Sequence, residues 1–155
     1  MLRKKIFIGA DSAGYAMKKD LITALREEGY EVVDCGTDSE ASCHYPEYAS
    51  AVCREVQKTP DEVFGILVCG TGIGMSMAAN KYRGIRAAVC GDTFSARFTR
   101  LHNNANVLCM GARVIGYGLA KDITDLFLNT EFEAGGRHEQ RVDMITAIEK
   151  SECNT

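Results

Sequence analysis

The chain has no Cys-x-x-Cys pair, no excess of basic residues and no apolar run long enough to span a bilayer. Each absence removes a class of function. Seven cysteines, Cys35, Cys43, Cys53, Cys69, Cys90, Cys109 and Cys153, stand singly, and an odd, scattered set fits neither a disulfide framework nor a zinc site. Lys and Arg total 18 against 21 Asp and Glu, a net charge of -3, so nothing recommends nucleic acid as a partner. A bilayer span needs about 20 apolar residues. Met1-Leu2-Arg3-Lys4-Lys5 leads straight into a strand-like segment instead of a signal-peptide core. The expectation is a cytoplasmic protein without a membrane partner. Repeats, low-complexity tracts and linkers are missing too, and 155 residues fit one domain with a substantial core.

What is present centres on residues 63–80, VFGILVCGTGIGMSMAAN. The apolar run 63–69 shows no alternation, as expected of a parallel strand buried on both faces. It stops at Gly70-Thr71-Gly72-Ile73-Gly74, where closely spaced glycines let backbone N–H groups converge on an oxygen-rich ligand at the start of a helix. Cys69 occupies the last strand position beside those donors. A helix N-terminus lowers thiol pKa, so a thiolate is favoured there more than in a free cysteine. Most of the other cysteines read as small core residues.

The remaining pattern alternates strands with helices. Strands are expected over 5–10, 30–35, 63–69, 85–90 and 106–110, and helices over 15–28, 46–58, 93–101, 116–128 and 137–150, with a helical segment after the glycine loop and a tail over 151–155. This alternation implies βαβ crossovers and an α/β fold with an open five-stranded parallel sheet covered on both sides. Ligands bind such folds beyond the carboxyl ends of the strands. Asp11 and Ser12, Cys69 to Gly74, Gly91 and Asp92, and Gly111 to Arg113 are therefore the site candidates.

Each motif admits a plain structural explanation as well. The glycine loop is a weak dinucleotide fingerprint, one residue short in its second spacing, with Asp92 about 20 residues on; it is also compatible with a tight turn. No Gly-Lys-Ser/Thr follows, which removes a P-loop, and no arginine follows Cys69 closely enough for a thiolate phosphatase. Asp11 either caps a helix or faces the same crevice as Cys69. His102-Asn103-Asn104-Ala105-Asn106 is either a loop of self-satisfied Asx turns or the setting of a proton-transfer histidine. Arg137 and Arg141, at i, i+4, form either a solvated basic face or a phosphate grip.

Taken together, GADSAG, YPEYA, GILVCGTGIGMSMAANK, GIRAA, HNNANVLCMGARVIG and GGRHEQRV resemble the B-type ribose-5-phosphate isomerase family, which includes the galactose-6-phosphate isomerase subunits. The resemblance runs in order along essentially the whole chain. It implies a single-domain, three-layer, Rossmann-like or flavodoxin-like isomerase domain over 1–150, working without cofactor or metal as a homodimer, or a tetramer, with sites shared between subunits. In that resemblance Cys69 is the base and Thr71 assists it. The backbone of Gly70, Gly72 and Gly74 stabilises the enediolate. His102, aided by Asp11, opens the sugar ring and comes from the partner with Asn103 and Arg113. Arg137 and Arg141 bind phosphate.

The implied reaction is ribose 5-phosphate to ribulose 5-phosphate isomerisation. Alternatives are a six-carbon sugar phosphate (allose 6-phosphate or galactose 6-phosphate) or a free rare aldose as substrate, or a non-catalytic subunit binding a sugar phosphate or nucleotide. The chain departs from the family pattern at Ser12, where many members carry histidine, so that contact to phosphate or sugar is expected to be weaker. It departs again at His44, where aspartate often precedes the Tyr-Pro pair. Cys69 itself argues against the galactose-6-phosphate subunit type that lacks the cysteine.

Overall fold

In the computed structural model, which describes residues 3–152, five parallel strands form one sheet. They are β1 (Lys5–Ala10), β2 (Val32–Asp34), β3 (Val63–Cys69), β4 (Ala87–Val89) and β5 (Val107–Gly111), in the order β2-β1-β3-β5-β4. All seven residues of β3 are buried. Alternate residues of the central strands feed two cores. Ile6, Ile8, Ile66, Val68, Leu108 and Met110 meet α1 (Tyr15–Glu27), α4 (Thr93–Asn103) and α5 (Tyr117–Asn129). Phe7, Leu67, Cys69, Val107 and Cys109 meet α2 (Tyr45–Lys58) and α3 (Ile73–Ala79) on the opposite face. Right-handed crossovers dictate this split, because β1 to β2 and β4 to β5 run one way along the sheet and the other two connections run the opposite way. The last helix, α6 (Arg137–Glu152), packs on α4.

Local signals explain the helix ends. Pro46 sits in the first turn of α2, where its missing N–H is harmless. Gly29, at φ 86, follows α1. Asp92 caps α4, its Oδ1 accepting from Ser95 N at 2.6 Å and its Oδ2 from Ser95 Oγ at 2.8 Å. Within α1, Lys18 is fully buried, donating to Asp34 Oδ1 at 2.5 Å and to the Thr37 carbonyl at 2.7 Å.

Several expected boundaries move. The two outer strands are shorter than 30–35 and 85–90, because Tyr30 N bonds back to Leu25 O and Ile85 N to Tyr82 O, keeping those residues in the preceding turns. Helix α4 runs on to Asn103. The tail expected from 151 is corrected as well: Ser151 and Glu152 belong to α6, while Cys153, Asn154 and Thr155 lie outside the described residues.

Candidate active site

The strand order creates the crevice. From β1 the chain leaves toward β2 and from β3 it leaves toward β4, so the connections diverge between two adjacent strands. Asp11 stands on one lip. Its N–H donates to Val68 O at 3.2 Å, tying it to β3, and its Oδ1 accepts from Gly14 N at 3.0 Å. The capping alternative is corrected: the N-cap of α1 is Gly14, without a side-chain cap, and Asp11 braces the turn before it, where Ser12 lies half-buried.

Cys69 stands on the other lip, 5% exposed, at the end of the buried run. Its Sγ accepts from the backbone N–H of Gly72 at 3.1 Å. The loop can make this contact because Gly72 adopts φ 80, which side chains rarely tolerate, and because β5 passes directly beneath it. A Cβ on Gly111 would come 2.6 Å from the Thr71 carbonyl carbon. The Thr71 side chain is exposed and its Oγ1 accepts from Ile73 N at 3.2 Å, which leaves its hydroxyl proton to be donated outward. Elsewhere burial pushes thiols up, to about 11 for Cys35 and Cys90 and about 12 for Cys53, with Cys109 well above its ordinary value. Those sulfurs stay protonated and serve as packing.

Two more side chains reach this rim. Arg113 N donates to Gly70 O at 3.0 Å, and Arg113 Cδ lies 3.6 Å from where a Gly70 Cβ would stand. Within one chain Arg113 thus follows the strand paired with β3 and stands beside the glycine loop, on the same rim as Cys69. The Tyr45 ring lies against Gly74, where an added Cβ would meet it at 2.8 Å. Tyr45 was no site candidate in the sequence; the signal available was the Tyr-Pro pair opening α2.

The other candidates gather elsewhere. Helix α4 runs back toward the amino end of the sheet, so His102 and Asn103 lie near the start of β5, far from Cys69 in the same chain. Asn104 is the αL C-cap of α4, and its Oδ1 accepts from Arg100. Asn106 accepts from Arg86 N at 2.8 Å and donates to Gly84 O at 2.8 Å. Those two asparagines serve the loop, as the plain explanation held. Arg100 is buried, donates to Ala105 O at 2.6 Å and has its guanidinium lowered to about 10 by desolvation. Asp92 is spent on its cap, which removes the ribose contact that the dinucleotide alternative needed.

Arg137 and Arg141 are both exposed, on the first turns of α6. Between them His138 is buried and stacks on His102 with ring centroids 3.9 Å apart. Nearby, a cavity of about 650 Å³ opens between α6 and β4, lined in part by Ile85, Ala87, Ile145 and Ile148 and by none of the strand-end residues. Within one chain the candidates thus form two groups, Asp11, Ser12, Cys69 to Gly74 and Arg113 at the carboxyl end of the sheet, and His102, Asn103, Arg137 and Arg141 at the other.

Comparison with known proteins spans nearly the whole chain. The family model described as Ribose/Galactose Isomerase matches residues 6–145. Ribose-5-phosphate isomerase B of Escherichia coli (strain K12) is 51% identical over 148 residues, covering 95% of this chain and 97% of that protein. A Clostridium thermocellum ribose-5-phosphate isomerase B structure superposes with TM-score 0.92 at 47% identity, covering 96% of this chain and 99% of the other. The Mycoplasma genitalium ribose-5-phosphate isomerase B with bound ribulose-5-phosphate superposes with TM-score 0.91 at 41% identity, covering 94% and 96%.

Proposed function

The chain belongs to the ribose/galactose isomerase family, and on that footing we propose that it interconverts ribose 5-phosphate and ribulose 5-phosphate by cysteine-mediated proton transfer through an enediolate. The observation that carries this is the N–H of Gly72 donating to Cys69 Sγ, in a crevice with Asp11 and Arg113 on its rim. The Cys69 sulfur takes the proton from C2 of the open-chain aldose and returns it to C1. The proton lost by the C2 hydroxyl passes to O1, and Thr71 assists that transfer. Backbone donors of the loop from Gly70 to Gly74 face the enediolate oxygens; each well-placed donor of this kind is worth about 3 kcal/mol. No cofactor enters this scheme.

Ring opening and phosphate binding fall to the second group. His102, with Asp11, opens the furanose, Asn103 orients the sugar, and Arg137 and Arg141 join Arg113 on the phosphate, whose remote binding energy positions the reacting carbons. Their place at the amino end of the sheet supports a homodimer in which one chain's His102, Asn103, Arg137 and Arg141 complete the partner's Cys69 site. Free thiols throughout the described residues fit a cytoplasmic setting.

The decisive test combines Cys69→Ala and His102→Ala. Each variant alone is expected to lose turnover of ribose 5-phosphate. Mixed and allowed to exchange subunits at equal amounts, they should regain about a quarter of wild-type activity, because about half of the dimers are mixed and each mixed dimer holds one intact site of two. Activity in Cys69→Ala alone would remove the thiol from the chemistry, and absence of rescue after demonstrated exchange would remove the shared site. Assaying six-carbon aldose phosphates and free aldoses alongside ranks the substrates by kcat/KM.

A further inference from the structure

One cluster of chemically able side chains is only partly used by the isomerase scheme. His102 and His138 stack with ring planes 7° apart, and His138 Nε2 lies 3.8 Å from Glu133 Oε2. The atoms of His102, Glu133 and His138 able to hold a metal all fall within 4.8 Å of one another. Three separate segments bring them there. Glu133 N donates to Leu101 O at 3.0 Å, fastening the connection before α6 onto the last turn of α4. His138 enters from the first turn of α6, and the edge of Phe98 supports His102 at 4.8 Å between ring centroids.

Two imidazoles and one carboxylate are a donor set that zinc takes in open, three-ligand sites, and imidazole suits zinc, copper and nickel alike. The cysteine spacing bore on sulfur ligands; this set is nitrogen and oxygen. A ligand histidine must be neutral. Desolvation first, then the charges of His102, Arg137 and Arg141, hold His138 below its ordinary value, against the opposing pull of Glu133. The lone pairs lie in the ring planes, so an ion held by both rings must turn at least one of them out of the parallel stack. Glu133 offsets part of the ion's charge and the two arginines oppose it. The site is accordingly suited to reversible occupancy.

We infer that His102, Glu133 and His138 form a binding site for one zinc-like transition-metal ion, and that its occupancy withdraws His102 from the isomerase reaction. The second half rests on the role proposed for His102; the first does not.

Untagged, chelator-treated protein dialysed against Zn²⁺ should take up one ion per chain in excess of Glu133→Gln and His138→Gln, in which binding falls at least about tenfold. Zn²⁺ should inhibit the wild type reversibly, with recovery on adding chelator, while Glu133→Gln keeps its metal-free activity and escapes inhibition. Equal uptake by all three proteins, or none by any, overturns the site. Uptake that depends on Glu133 and His138 without inhibition overturns the link to His102. Failure of the chelated wild type to turn over ribose 5-phosphate defeats the isomerase reading instead, and dialysis still decides the site.

Discussion

Cys69 differs from Cys53, Cys90 and Cys109 in what its sulfur meets. All four side chains belong to the cores that flank the sheet, and the Cys69 sulfur also accepts a backbone N–H at the carboxyl end of β3. Replacement by alanine removes the proposed base without opening a sizeable void. We expect kcat to fall by about 10²- to 10⁴-fold, with a melting temperature within about 4 °C of wild type, measured by steady-state assay and thermal unfolding. Asp92 gives a pH-dependent counterpart. Its hydrogen bonds to Ser95 hold its carboxyl below the usual range, so its stabilising effect is present above its unfolded value, about 3.9, and is lost as pH falls through the lower folded value. Asp92→Ala should therefore weaken the fold at pH 7, and the gap to wild type should close below about pH 4 in denaturant titrations. At this scale, the shared rim of Cys69 and Asp11 was legible because adjacent parallel strands end side by side. Glu133 and His138 were not, since nothing in the order of residues shows that α4 and the start of α6 touch. Asn104 and Asn106 carried equal promise on paper and turned out to be a helix cap and a loop brace.

Elements were legible in proportion to their burial. β3 is bounded as expected because both faces and both edges are covered, whereas β2 and β4 pair on one side only and their ends are captured by neighbouring turns. The length of α4 was underestimated because its last turn is held by tertiary contacts of Arg100 rather than by propensity. The close seat of the glycine loop on β5 was equally invisible from residue order, yet the loop's geometry depends on it. Gly111→Ala should force Thr71 and the loop away, since the added carbon meets only backbone there. The expected result is a loss of about 1–3 kcal/mol of stability and a larger loss of kcat than of substrate affinity, checked by chemical denaturation and by separating kcat from KM.

At the scale of the molecule, residue order implied the layers but not that β5 would insert between β3 and β4, nor that the candidate residues would part into two groups at opposite ends of the sheet. Exposed Phe94, Met144, Ile145 and Ile148 around α4 and α6 form an apolar face that the proposed dimer would cover. Sedimentation should find a dimer, and Ile145→Asp with Ile148→Asp should yield folded, inactive monomers. Arg137→Ala should raise KM for the phosphorylated sugar far more than for the free sugar, as steady-state assays of the two will register.

Lys18 also acts at this scale. Its amine, sealed under α1 between a carboxylate and a carbonyl, is out of reach of acylating reagents for as long as the chain stays folded. Surface lysines will label within minutes, while labelling at Lys18, followed by mass spectrometry, will keep time with the rare openings of the entire domain and serve as its intrinsic clock.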